Sequence, residues 1–183
     1  MSVVTSIAHW PDRLESLVEQ IGPPLRICRV IAECASTQDH ARVLGLGSVV
    51  VAGRQTAGRG QRGNRWADTS DDGLAFSLAL PATRKPERSR DVAAAIAVSL
   101  GVWLPRQLRI KAPNDVMLEG RKLAGVLVEQ ADGLAVIGIG INVGQERFEG
   151  DLADTAISMR MAGAVHDRMD VLEQVLPAIV QAW

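Results

Sequence analysis

Two cysteines, three histidines and a formal charge of −1 in 183 residues remove several functional classes at once. Cys28 and Cys34 are too few for a disulfide framework, and each is expected to serve as a small buried hydrophobe. His9, His40 and His166 lie far apart with no metal-ligand spacing, so no metal site is expected. The near-neutral charge argues against binding nucleic acid through bulk electrostatics. No segment approaches the roughly 18 continuous apolar residues of a membrane-spanning helix. The N-terminus lacks the basic-then-apolar order of a secretion signal. These absences leave a soluble, cytoplasmic protein as the expectation. No repeat, low-complexity tract or Pro/Ser/Gly linker divides the chain, so residues 1–183 read as one domain.

What is present is a substantial core. Hydrophobic residues make up 47% of the chain, and a chain of this length buries about two-thirds of its unfolded surface. A short helix is expected over 12–21, closed by Gly22-Pro23-Pro24. A strand follows over 25–32. Ser36 or Thr37 can cap a helix running to about Leu44, which Gly45 and Gly47 end. Residues 49–53 and 74–80 read as strands. The clearest helix is 90–104, with Val92, Ile96, Leu100 and Trp103 on one face. Strands are expected over 108–111, 122–130 and 134–143, the last two joined through Asp132-Gly133, a hairpin signal. Asp170 and Glu173 resemble a capping box for a last helix to Trp183, in which Pro177 should produce a kink. Strands in runs with few helices between them imply an α+β fold, a mixed, largely antiparallel sheet covered by helices.

Two segments carry chemistry. Residues 58–63, Gly-Arg-Gly-Gln-Arg-Gly, formally match the dinucleotide fingerprint, but that motif needs a helix to begin inside it. Here the chain continues Asn64-Arg65-Trp66 and then 67–73 in loop composition, so the match is rejected. Gly58, Gly60 and Gly63 instead permit positive φ and close approach to a ligand. Arg54, Arg59, Arg62 and Arg65 supply cations suited to carboxylate or phosphate, and Trp66 offers a flat apolar surface. A solvated basic turn without a partner is the alternative.

In the second segment Lys111 closes a strand and Pro113 forbids its simple continuation, so the lysine projects from an ordered turn. Asn114-Asp115 can bond their own backbone and fix that turn, and Glu119-Gly120 makes a tight reversal. Gly125, Gly138 and Gly140 lie inside strand candidates. One such glycine usually accommodates packing; three on neighbouring strands suggest a flat floor for a ligand. Asn142 would sit at its rim or simply end the strand.

Four blocks together resemble the biotin–protein ligase (biotin–[acetyl-CoA-carboxylase] ligase) family. They are Ser36-Thr37-Gln38, Gln55-Thr56-Ala57-Gly58-Arg59-Gly60 through Trp66, Lys111 to Asp115 with Arg121-Lys122-Leu123-Ala124-Gly125, and Gly138-Ile139-Gly140-Ile141-Asn142. The resemblance implies a catalytic domain related to class II aminoacyl-tRNA synthetases and lipoyl ligases. It implies a reaction in which biotin and ATP–Mg²⁺ give biotinyl-5′-AMP, followed by transfer to a lysine of a biotin carboxyl carrier protein. By the same resemblance Ser36, Thr37 and Gln55 bind the ureido head. Gln38, Gly58, Gly60, Gln61, Gly125, Gly138 and Gly140 complete the biotin pocket. Arg59 belongs to the loop that closes over biotin and its adenylate. Lys111 contacts the biotin carboxylate and the phosphate, and acts with Arg59 in catalysis. Trp66 and Asn142 lie near the adenylate.

The chain departs from the family at Gln61, where a second Arg is usual, at Asn64, where a basic residue is common, at Ala112, which replaces a Trp, and at Gln38, which replaces an Asn. No helix-turn-helix is read before residue 25, so a DNA-binding repressor is not expected; separately, the small C-terminal β-domain of many relatives is not expected in residues 1–183. Pairing into a homodimer through a sheet edge is within what the resemblance allows. Two other readings remain: a ligase for lipoate or another short acid, and a biotin-binding module without catalysis.

Overall fold

The computed structural model describes residues 6–66, 72–104 and 106–183. Seven strands form one sheet in the order β1-β2-β3-β7-β6-β5-β4. They are β1 (Ile27–Cys34), β2 (Ser48–Gln55), β3 (Gly73–Pro81), β4 (Arg109–Lys111), β5 (Asp115–Leu118), β6 (Arg121–Ala131) and β7 (Leu134–Asn142). β1 and β2 are parallel, because the helix α2 (Thr37–Leu44) crosses over between them. The other pairs are antiparallel, so the sheet is mixed and largely antiparallel as expected.

Strand alternation divides the sheet's residues between two layers. On one face Val49, Val51, Phe76, Leu78, Val126, Ile137, Ile139 and Ile141 pack against α1 (Trp10–Ile21), α3 (Arg88–Gly101) and α4 (Arg168–Ala182). Of the described helices, α2 covers the other face, through a small cluster of Ala41, Val50, Ala79 and Val136. That thin cover leaves much of the second face open for a site. Phe76 is fully buried in the large core. Phe76→Ala should therefore destabilise the protein by about 3–5 kcal/mol through lost transfer energy and a cavity. Denaturant unfolding checks it, and a loss under about 1 kcal/mol would mean the sheet core is not assembled around Phe76.

The two tight turns form as expected. Glu119 and Gly120 have φ of 53° and 78°, and Asp132 and Gly133 have 51° and 79°, the paired positive φ of two-residue hairpins. Ser36 caps α2, its side chain accepting from the Gln38 N–H. Several boundaries differ. α3 ends at Gly101, a poor helix former, so Trp103 leaves the expected face and stacks on His166 instead. α4 is capped by Asp167, which accepts from Met169 N at 2.8 Å. Asp170 and Glu173 do not form a capping box, because Arg13 of α1 holds both carboxylates, at 2.8 and 2.7 Å. α4 runs through Pro177 to Ala182. β5 is a strand where only a turn was expected. Cys34 is buried, but Cys28 is only half-buried; burial, with Glu15 and Glu19 nearby, raises its thiol pKa. Among the described residues no helix is long and apolar enough to cross a membrane.

Candidate active site

The strand register builds the floor. Ala52 pairs with Ala75, Ala75 with Gly140, Gly140 with Gly125, Gly125 with Asp115, and Asp115 with Lys111. One row of small residues thus crosses the open face from β2 to β6 and ends in a carboxylate and an ammonium. Beside it runs Val50, Ser77, Gly138 and Leu127. Two cavities lie over these rows. The first, about 320 Å³, reaches from Ser36, Thr37, Gln38 and Gln55 to Lys111 and Lys122, with Arg59, Gly60 and Gln61 along it. The second, about 290 Å³, lies among Met117, Asn142, Phe148, Leu152, Asp154 and Thr155. Arg65, Trp66, Lys111, Asp115 and Lys122 belong to both, so the two cavities meet at this cluster.

At the far end of the first cavity the acceptors are already engaged. Gln55 Oε1 accepts from Thr37 N at 2.8 Å and from Thr37 Oγ1 at 3.1 Å. Thr37 Oγ1 also shares a hydrogen with Ser77 Oγ at 2.7 Å. Gln38 Nε2, in a side chain buried to 3% exposure, has no partner among the described residues. A buried donor in that state favours a ligand that supplies an acceptor.

The three strand glycines line the first cavity, as the expected floor, and each also makes room for a side chain of the site. A Cβ at Gly138 would come within 2.8 Å of the Gln38 side chain, one at Gly140 within 2.3 Å of the Trp66 ring, and one at Gly125 within 2.9 Å of Lys122 Cε. Each glycine is a notch that seats one of the site's own side chains. The loop glycines meet the expectation in part, since Gly60 lines the first cavity and Gly63 has positive φ. Trp66 N donates to Gly58 O at 2.9 Å and Gly60 N to Asn64 O at 2.7 Å, so the loop doubles back on itself. A Cβ at Gly58 would lie 2.8 Å from Trp66 O. Gly58 and Gly60 therefore admit the returning arm of the loop, and of the three loop glycines only Gly63 has positive φ, at 81°. Gln61–Gly63 is a single 3₁₀ turn, consistent with rejecting the dinucleotide motif. Of the expected loop segment, 67–71 lies outside the described residues.

The cations divide into two kinds. Arg59 bonds Asp39 of α2 at 2.8 Å and Glu129 of β6 at 3.4 Å. Burial of its guanidinium acts to lower the pKa, and these two carboxylates outweigh it, leaving a net rise. Its terminal nitrogens are thus committed to protein, not held open as a bidentate clamp. The side chain of Lys111, exposed at the end of β4, makes no hydrogen bond or ion pair among the described residues. Lys122 pairs with Asp115 at 2.7 Å and stands 5.7 Å from the centre of the Trp66 ring. Its backbone is gripped on both sides, Lys122 N donating to Thr155 O and Ile157 N to Lys122 O.

Lys122 is the main residue that the sequence reading left without a role. It stood inside a matched block, yet no periodicity shows that its side chain crosses Gly125. The segment 148–156 that walls the second cavity carries no sequence signal either. Asn114, expected to bond its own turn, instead donates from its side-chain amide to Val126 O of β6. Asn142, expected at the rim, donates to Lys122 O at 3.1 Å and Ile157 O at 3.2 Å. It borders the second cavity and ties β6 to the 157 segment.

Residues 35–146 match the biotin/lipoate A/B protein ligase family. The bifunctional ligase/repressor BirA of Bacillus spizizenii is 36% identical over 142 residues, covering 71% of this chain and 44% of that protein. The biotin–[acetyl-CoA-carboxylase] ligase of Mycobacterium tuberculosis is 34% identical over 138 residues, covering 71% of this chain and 52% of that protein. This chain therefore spans about half the length of these relatives. The solved biotin protein ligase of Aquifex aeolicus in complex with biotin and ATP superimposes with a TM-score of 0.75 at 29% identity, covering 88% of this chain and 70% of that one. With a match over 35–146 that includes every block from Ser36 to Asn142, the chain belongs to the biotin/lipoate A/B protein ligase family.

Proposed function

We propose that this chain activates biotin with ATP and transfers it to a lysine of a biotin carboxyl carrier protein. The observation behind the reading is that two cavities, one sized for a small acid, meet at a shared pair of lysines. The first cavity takes biotin, with its ureido head among Ser36, Thr37, Gln38 and Gln55. The polar character of that end favours a cyclic urea over the apolar dithiolane of lipoate, and the unpaired Gln38 amide suits the ureido carbonyl. The second cavity takes the nucleotide, against Trp66 and the 148–156 wall. Among the described residues no group of three His, Cys, Asp or Glu is placed to hold a metal ion. Mg²⁺ would enter with ATP as part of the substrate and neutralise phosphate charge there; Asp115 and Asp154 border that cavity.

The chemistry follows from the junction. A biotin carboxylate oxygen attacks the α-phosphorus, the bond to the β-phosphate oxygen breaks, and pyrophosphate leaves. Two anions approach each other there, and Lys122 and Lys111 stabilise the charge as it develops. The acceptor ε-amine then attacks the acyl carbon, forming the amide and releasing AMP with loss of a proton. Closure of the Gly/Arg loop keeps water from the mixed anhydride.

Incubation with biotin, labelled ATP–Mg²⁺ and a carrier domain tests this directly. Labelled biotinyl-AMP followed by biotin on the carrier is expected. A faster reaction with lipoate would overturn the choice of acid, and biotin binding without adenylate would favour a non-catalytic module. Gln61 borders the first cavity as a neutral residue. Gln61→Arg should slow release of biotinyl-AMP about tenfold by adding a charge-assisted contact to the phosphate. Equal release rates for the two proteins would remove that role.

A further inference from the structure

We infer that Asp39 and Glu129 are positioning residues that latch the Gly/Arg loop over the first cavity by holding Arg59. The inference rests on that cavity being the acid site proposed above. Arg59 is a loop residue that lines the cavity, whereas Asp39 belongs to α2, next to the lining residue Gln38, and Glu129 to β6, two residues from the lining residue Leu127. Its guanidinium reaches both, at 2.8 Å and 3.4 Å, and so ties the loop to helix and sheet at the edge of the cavity. Glu129 also bonds Arg42 of α2 at 2.8 Å. The four groups form a charge-balanced set, two arginines and two carboxylates, with Glu129 shared.

Two further features give the contact its direction. The loop is tied to itself by the Arg59–Arg65 bridge and the Gly60 N to Asn64 O bond, so moving Arg59 moves the whole turn. Trp66, at the end of that turn, stands over Gly140 at the junction of the cavities. The latch is also accessible to salt. The side chains of Arg59, Asp39 and Glu129 are 37%, 56% and 34% exposed, so the pairs are screened but not abolished by added ions. The carboxylates therefore hold the cover in the ligand-free protein, and opening requires Arg59 to leave them.

Limited trypsin digestion of the ligand-free protein reads the latch without reference to biotin, because the loop contains the cleavable Arg59, Arg62 and Arg65. At low salt Asp39→Asn and Glu129→Gln should be cut in this loop about three- to tenfold faster than the wild type, and Asp39→Glu should restore protection. At 500 mM NaCl the wild type should approach the variants. Biotin release measured on the same proteins should accelerate in the same order, with Tm unchanged. Equal loop cleavage in all variants overturns the inference, as does faster cleavage that tracks a fall in Tm, which would mark a general loss of packing. If the wild type binds no biotin, the functional reading falls, while the digestion still decides the latch.

Discussion

Lys122→Met slows biotin-dependent pyrophosphate exchange by about 10²–10³-fold, the loss that follows removal of one preorganised transition-state donor. The expectation comes from position. Lys122 Nζ lies where both cavities meet, its side chain seated across Gly125 and its backbone held by the 155–157 segment. A fixed cation there costs no reorganisation when the carboxylate reaches the α-phosphorus. The stability consequence is small by contrast. Lys122 and Asp115 are 37% and 24% exposed, and a partly exposed ion pair contributes about 0–1 kcal/mol. A large kinetic loss with an almost unchanged Tm is therefore the signature. Lys111→Met should lose less, about tenfold, because Lys111 ends a three-residue strand and its side chain has no partner among the described residues. Exchange rates for the two variants give the order, and a greater loss for Lys111→Met would return the principal role to the lysine that the sequence blocks suggested.

Gly140→Val weakens binding of biotinyl-AMP about 10–100-fold, because overpacking of about 1–3 kcal/mol falls on the junction at 1.4 kcal/mol per decade. β7 is hydrogen-bonded to β3 on one side and β6 on the other, so its backbone has little freedom to move. The new side chain would meet the Trp66 ring 2.3 Å from Cε2 and 2.5 Å from Cζ2. The ring must leave its notch, and the wall between the cavities goes with it. Calorimetry of ligand binding checks the size, and a Trp66→Ala cycle separates the causes. If the clash with the ring is the whole effect, Gly140→Val costs little in the Trp66→Ala background. Unaltered binding in Gly140→Val alone would show that the ring does not need this notch.

These expectations draw on different sources. The blocks around Ser36, Gln55 and Gly138 were legible because their chemistry is local. A hydroxyl cap, a Gly-rich turn and a strand glycine are each recognisable within a few residues. The reversals at Glu119-Gly120 and Asp132-Gly133 were legible for the same reason, since positive φ selects its residues locally. Arg59 shows where local reading stops. It was expected as a ligand cation on its residue type, but its partners, Asp39 and Glu129, are 20 and 70 residues away in the chain. The caps of α4 failed likewise, because Arg13, 157 and 160 residues distant, claims Asp170 and Glu173.

The sequence by itself determined an α+β fold with a largely antiparallel sheet, the position of its two hairpins, and which loop and strands border the site. Those features follow from alternation, turn chemistry and contiguous motifs, which act over a few residues. Only the tertiary structure decided that Gly125, Gly138 and Gly140 are seats for Lys122, Gln38 and Trp66, that Lys122 joins Lys111 at the junction, and that 148–156 walls the second cavity. Strand register produced these results. It aligns Ala52, Ala75, Gly140, Gly125, Asp115 and Lys111 across six strands, and such an alignment is a property of long-range hydrogen bonding that no short window of sequence contains.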